Sequence, residues 1–221
     1  MFGRAIQFIG GGVLLFTAAA APVSAQIVNG GFETPVTGNH NVYVVGDTFT
    51  GWKVVGDPGN NVWLTNNAAS GQGQAHTGSQ WLDLTGSSHG SEGVQQTVAT
   101  TPGTNYDLSF WVGNTTGYNS VTSTVNVFIN STIGTSYTNS QSNGATSVWQ
   151  QFTQNFTATS ASTTISFING DGQNDGINQL DDVTLNPHVM TSTPEPSSMA
   201  LLGTGLIGLV PMIRRRKISN G

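Results

Sequence analysis

The chain has 221 residues, no cysteine and few charges, because Asp, Glu, Lys and Arg together make up only 8% of it. Typical soluble domains carry about 25% charged residues. Between Gln26 and Thr193, Lys53 is the only basic residue against ten acidic ones, a balance of 1 − 10 = −9. This excludes nucleic acid as an expected partner, since neutralising phosphates requires several Lys and Arg. The lack of cysteine excludes a disulfide-stapled fold.

Residues 1–25 are predicted to be a secretory signal peptide. Arg4 supplies a positive charge, and a mostly apolar stretch follows over 6–21. Small or short residues then occupy the positions that signal peptidase reads, which predicts cleavage after Ala25. The alternative, an uncleaved anchor helix, is disfavoured by this small-residue site and by the polar chain that follows.

The middle of the chain, 26–186, is predicted to be one all-β domain. Apolar and polar residues alternate in several short segments that Pro-Gly and Gly-Asp-Gly turn signals separate, whereas helical periodicity is almost absent. We therefore expect an antiparallel β-sandwich, specifically a jelly roll. About 160 residues suffice for a sizeable core. One predicted apolar face contains Tyr106, Leu108, Phe110 and Val112, a second Val121, Ser123, Val125, Val127 and Ile129, a third Ile165 and Phe167, and a fourth Val183 and Leu185.

A second signal is predicted at the C-terminus. Pro194-Glu195-Pro196 precedes an apolar run over 199–213, and Arg214, Arg215, Arg216 and Lys217 follow at once. The run is short for a spanning helix, which normally needs about 20 residues, but basic side chains at its end can reach the membrane interface. We expect 187–198 to be a linker, 199–213 a transmembrane helix and 214–221 a basic cytoplasmic tail.

This three-part C-terminal end resembles the PEP-CTERM sorting domain of exopolysaccharide-producing Gram-negative bacteria. The resemblance implies recognition by an exosortase, a membrane cysteine protease-transpeptidase. It implies a transient inner-membrane anchor followed by location at the cell surface or in the extracellular matrix. The alternative is an ordinary single-pass anchor after a Pro-rich linker.

Six short motifs occur in order along the middle of the chain. They occupy 28–33, 51–54, 78–86, 94–98, 102–110 and 180–185. Their order resembles the DUF642-type, galactose-binding-like jelly rolls, including the bacterial choice-of-anchor C proteins, and several carbohydrate-binding modules of xylanases. The resemblance implies the jelly-roll fold and a surface that binds polysaccharide.

A structural calcium site follows from the same resemblance. In the resembling modules, an Asn-Gly-x-Phe-Glu opening lies beside a terminal Asp-Asp-Val strand, and the two help to bind one Ca²⁺. Carried over, Glu33 with Asp181 or Asp182 would be the ligands, and calcium takes six to eight oxygens. The alternative is that Glu33 caps backbone amides while the Asp pair faces solvent. The acidic segment 171–176 also has calcium-loop spacing, but a polar loop before the last strand is the favoured interpretation.

Aromatic side chains beside polar ones are candidates for binding sugars, whose rings offer an apolar face. Trp81 and Asp83 share one strand face, and Trp111 lies opposite the apolar face of its own strand. The alternative is that each of these Trp residues belongs to the core. The four His residues lack metal-ligand spacing and no catalytic motif is present, so no catalytic residue is predicted.

The sequence as a whole predicts a non-enzymatic, exported surface or matrix protein whose sandwich binds polysaccharide. One alternative is a structural coat or adhesion protein that contacts other proteins. The other is a hydrolase that acts on matrix polysaccharide.

Overall fold

A computed structural model of the chain describes residues 26–69, 71–115, 121–141, 146–172 and 177–188. The predicted signal peptide, transmembrane helix and basic tail lie outside these residues, as does the linker beyond His188. Within the described ranges, no helix is long and apolar enough to cross a membrane.

The described part of the chain consists of twelve strands in two antiparallel sheets. Sheet A has the order β1-β4-β5-β12-β7-β10, and sheet B has the order β2-β3-β6-β11-β8-β9. The predicted all-β antiparallel sandwich of the jelly-roll type is therefore confirmed. The strands are β1 His40–Val44, β2 Thr48–Phe49, β3 Trp52–Val55, β4 Asn61–Asn66, β5 Gln80–Asp83, β6 Gly93–Ala99, β7 Asn105–Asn114, β8 Ser123–Ile129, β9 Thr135–Asn139, β10 Val148–Thr157, β11 Ser162–Asn169 and β12 Asn178–Pro187.

The hydrophobic core lies between the two sheets, where the alternating apolar residues of each strand meet. Phe110 of sheet A and Phe167 of sheet B are both fully buried, and their ring centroids lie 5.1 Å apart in an edge-on contact. Burying one such side chain stabilises the fold by about 1.5–3 kcal/mol. The whole core cluster runs from Ile27 to Leu185. The described residues therefore form a unit with its own core, as a domain that folds independently does.

The predicted strand faces are confirmed in β7, β11 and β12, and the face of β8 differs in detail. Val121 is 80% exposed, because β8 begins its pairing with β9 only at Ser123. In β12 the register shifts between Asp181 and Thr184, and Asp182 has a positive φ of 48°. This bulge changes which residues face outward midway along the strand. It places the acidic pair at an irregular point of sheet A.

Candidate ligand-binding face

Four of the five Trp residues lie on the outer face of sheet A, which we call the aromatic face. They are Trp63 on β4, Trp81 on β5, Trp111 on β7 and Trp149 on β10, at positions that alternate with core residues. The strand order separates β4 from β10 by four steps, which is about 19 Å at ~4.8 Å per strand. Only an extended ligand could contact both ends of this face.

A covering loop, residues 71–79, lies across the middle of the aromatic face. Trp149 Nε1 donates a hydrogen bond of 3.1 Å to the Gln74 carbonyl. The His76 ring stacks on Trp111 with 3.7 Å between ring centroids and an interplanar angle of 19°. One face of the Trp111 ring is therefore occupied by His76, while Trp149 remains half-buried at the edge of the loop.

Two glycines allow the covering loop to lie this close to the sheet. Gly73 has a positive φ of 100°, and a Cβ there would come within 2.4 Å of Gln179 Nε2 and Ser147 Oγ. A Cβ on Gly113 would meet Gln179 Oε1 at 2.5 Å and Trp149 Cε3 at 3.0 Å. Any larger residue at either position would push the loop or the Trp149 ring away from the sheet.

The carboxylate of Glu33 binds the backbone at the end of the covering loop. Its Oε1 accepts hydrogen bonds from the amides of Ser79 at 2.8 Å and Gln80 at 2.9 Å. A Cβ on Gly78 would lie only 2.3 Å from the same oxygen, and the φ of Gly78 is 65°. Glu33 thus caps backbone amides, the arrangement left open by the sequence as the alternative to calcium ligation.

The acidic pair from β12, Asp181 and Asp182, binds the covering loop at His76 and Thr77. Asp181 Oδ2 accepts a hydrogen bond of 2.9 Å from the His76 amide, and Asp182 Oδ2 lies 2.6 Å from His76 Nδ1. Asp181 is 0% exposed. Burial, followed by the neighbouring charge of Asp182, raises the pKa of Asp181 to about 8. The alternative to calcium ligation placed this pair in solvent. In the structure both side chains instead bind the covering loop.

These acidic residues have the oxygen ligands that calcium prefers, but their side chains are not close enough together to form a metal-binding group. Glu33, Asp181 and Asp182 all offer carboxylate oxygens, the ligand type that calcium prefers. Among the residues that the structure describes, however, no three His, Asp or Glu side chains are spaced as a metal-binding group. In the acidic segment 171–176, Asp171 Oδ1 accepts a 2.7 Å bond from the Thr124 amide, and 173–176 lie outside the description.

Trp81 and Asp83 occupy the predicted outward face of β5 but do not reach the surface. Trp81 is 0% exposed and Asp83 1% exposed. Asp83 Oδ1 accepts hydrogen bonds from the Thr85 amide at 3.0 Å and its hydroxyl at 2.6 Å. Burial raises the pKa of Asp83 to about 6. Neither side chain is accessible to a ligand in this structure, which contradicts the expectation that this pair is exposed.

The sequence prediction missed three aromatic residues of this face. Trp63, stacked on His40 with 4.5 Å between centroids, and Trp149 are the half-buried Trp residues besides Trp111. His76 reaches the face only through the covering loop. The alternation over β10, where Trp149, Gln151 and Thr153 share the outward side, was a signal that could have identified Trp149.

The described part of the chain is thus an all-β sandwich with three half-buried Trp side chains along one sheet. Residues 23–186 match the family model described as HpiC1-like, HpiC1 cyclase, so the chain belongs to the HpiC1-like family. Residues 192–217 match the PEP-CTERM protein-sorting motif. The chain is thus a PEP-CTERM protein with a jelly-roll domain, as the sequence predicted, and the motif indicates export with a C-terminal sorting signal.

Solved structures with a similar arrangement include carbohydrate-binding modules. The CBM22-1 xylan-binding domain of Paenibacillus barcinonensis Xyn10C is 18% identical over 66% of this chain and 92% of that chain, with a TM-score of 0.42. A CBM4 structure is 22% identical over 73% of this chain and 99% of that chain, with a TM-score of 0.37. Similarity this distant says nothing about the ligand of this chain. No curated protein matches the sequence significantly.

Proposed function

We propose that the protein is sorted by an exosortase-type system to the surface of a Gram-negative cell or its matrix. There its sandwich binds a neutral polysaccharide at the aromatic face without catalysing a reaction. The sorting part is supported by the motif at 192–217. Replacing Pro194-Glu195-Pro196 with three alanines should retain the chain in the inner membrane of the host cell, and normal release would contradict this part.

The binding part is carried by two half-buried Trp residues on well-separated strands of the aromatic face, Trp63 on β4 and Trp149 on β10. Trp rings bury large apolar area and present flat faces on which sugar rings stack. Beside Trp149, the exposed outward side chains of Gln151 and Thr153 offer hydrogen-bond donors and acceptors for hydroxyl groups. The acidic balance of the domain repels anionic polymers, which favours a neutral polysaccharide.

Binding is tested with soluble neutral polysaccharides, namely xylan, glucomannan, β-1,3-glucan and dextran, by affinity gel electrophoresis of residues 26–188. We expect at least one polymer to retard the protein. Trp149→Ala and Trp63→Ala should each weaken that retardation about tenfold, the loss typical of a stacking anchor.

The matched control is Phe128→Ala, because Phe128 is a half-buried aromatic residue on the outer side of sheet B. Its affinity should equal that of the unmodified domain. Absence of retardation by every polymer, with crosslinking on intact cells that returns only protein neighbours, would instead establish the adhesion alternative.

A catalytic role is the second candidate, favoured by the family description as a cyclase and by one geometric observation. Asp181 is fully buried and lies opposite Trp111 in the β12–β7 register. A carboxyl group in such a position could donate a proton to a bound molecule. Mass spectrometry distinguishes binding alone from catalysis. The polysaccharide that retards the domain is incubated with it, and products that are absent with Asp181→Asn would establish turnover.

We also propose a structural Ca²⁺ at the corner where Glu33, Asp181 and Asp182 meet the covering loop. The proposal is supported by three carboxylates that bind one short stretch of chain, 76–80. Asp181 and Glu33 accept hydrogen bonds from its backbone amides, and Asp182 contacts the side chains of His76 and Thr77. A cation would relieve the repulsion between the neighbouring carboxylates of Asp181 and Asp182.

A further inference from the structure

A cleft opens between the two sheets on the side of the sandwich away from β5. Its volume is about 370 Å³, which is within the usual range of small-molecule pockets. Its apolar lining comes from both sheets and from the turn after β8: Val127, Ile129, Ile133, Phe156 and Ala158.

The cleft exists because the edge strands of the two sheets do not meet. β9 pairs with β8 only from Ser123 to Val127, so Ile129 extends beyond its cover. Ile133 in the following turn is 84% exposed at the mouth. On the opposite wall, β10 is the last strand of sheet A. Ile129, Ile133 and Phe156 are therefore accessible from solvent here, whereas Val127 and Ala158 form the buried floor of the cleft.

One polar group in the lining lacks a protein partner. Gln154 stands opposite Leu108 in the register, so it occupies an inward-facing position of β10. Its Oε1 is buried and accepts no hydrogen bond. By contrast, Asn130 Oδ1 accepts from the Thr164 amide, and the Thr163 hydroxyl pairs with that of Thr100. A buried carbonyl oxygen without a donor costs free energy, which a ligand that donates a hydrogen bond would recover once the Gln154 side chain turns this atom toward the cleft.

We propose that this cleft binds a neutral, mostly apolar small molecule that donates one hydrogen bond to the Gln154 side chain, such as an alkyl- or aryl-substituted alcohol. The ligand is neutral because no charged residue lines the cleft. A sugar fits less well, since it would bury several hydroxyl groups against a lining in which Gln154 Oε1 is the one buried side-chain oxygen that lacks a donor. The site is separate from the aromatic face and does not depend on polysaccharide binding.

The test compares 4-propylphenol with 4-propyltoluene, which differ only by a hydroxyl in place of a methyl group. Residues 26–188 are titrated with each while methyl NMR shifts are recorded. We expect saturable shifts at Val127, Ile129 and Ile133, with the phenol binding about three- to tenfold more tightly, as one hydrogen bond predicts.

Three variants make the assignment specific. Gln154→Leu should bring the two affinities to about the same value, whereas the control Gln95→Leu, on the outer side of sheet B, should keep the difference. Ile129→Trp should fill the cleft and abolish the shifts caused by both ligands. The methyl NMR signals of the other core residues show whether this variant is folded. Equal affinities in the unmodified domain, shifts centred on Trp149, or no saturation would each overturn the proposal.

Discussion

Asp83 is a buried carboxyl group whose hydrogen bonds do not fully offset its loss of hydration. The Thr85 amide and hydroxyl both donate to Oδ1, yet burial raises its pKa to about 6. In the unfolded chain the pKa is about 3.9. The folded state therefore binds the proton more tightly, so this contribution to stability is fully present below pH ~4 and is lost as the pH rises through about 6.

Asp83→Asn should remove this pH dependence, because the amide resembles the protonated acid at every pH. Between pH 7.5 and pH 4, the unmodified domain should gain up to about 3 kcal/mol of unfolding free energy relative to the variant. Urea unfolding at both pH values measures the difference. Asp57→Asn, at an exposed position, is the control, and its unfolding free energy should change with pH as that of the unmodified domain does. If Asp83→Asn also shows the pH dependence of the unmodified domain, the Asp83 carboxyl group is already ionised at pH 4 and the prediction is wrong.

The covering loop 71–79 is an element without regular structure that is held to sheet A by close contact. Gly73→Ala should displace it, because a Cβ there meets two side chains at 2.4 Å in addition to the strain of a positive φ. We expect a loss of about 1–3 kcal/mol in unfolding free energy and faster acrylamide quenching of Trp fluorescence.

Gly59→Ala separates the two causes, since Gly59 also has a positive φ, 90°, but no atom within 4 Å of its Cβ position. That variant should show only the cost of backbone strain and no change in quenching. Equal effects of the two substitutions would show that contact with the loop plays no part.

The strand elements were predictable because alternation reports which side chains share a face. Tyr106, Leu108, Phe110 and Val112 all point into the core as expected. The burial of Trp81 was not predictable, because alternation identifies the outward side of a strand without revealing what covers that side. The acidic pair could be placed near Glu33 only through the family resemblance, since the bulge at Asp182 breaks the period of its strand.

At the scale of the whole molecule, the domain has no disulfide and relies on one core. Glu33 near the start of the domain and Asp181 on its last strand both bind the covering loop. The loop therefore links the two ends of the domain at this corner. An ion that binds only the folded state there would stabilise every element at once, since binding to the native state alone raises the free energy of unfolding.

Calcium removal should therefore lower the melting temperature of residues 26–188. If calcium is present at about 100 times its dissociation constant, it contributes about 2.7 kcal/mol, or a drop of about 5–10 °C on adding chelator. Glu33→Gln and Asp182→Asn also weaken hydrogen bonds to the loop, so their own melting temperatures fall regardless. The informative quantity is the difference between calcium and chelator, which should vanish in both variants and persist in Asp107→Asn, a carboxylate near the opposite end of β12. Identical melting curves for the unmodified domain would mean that the hydrogen bonds to the covering loop alone hold this corner together.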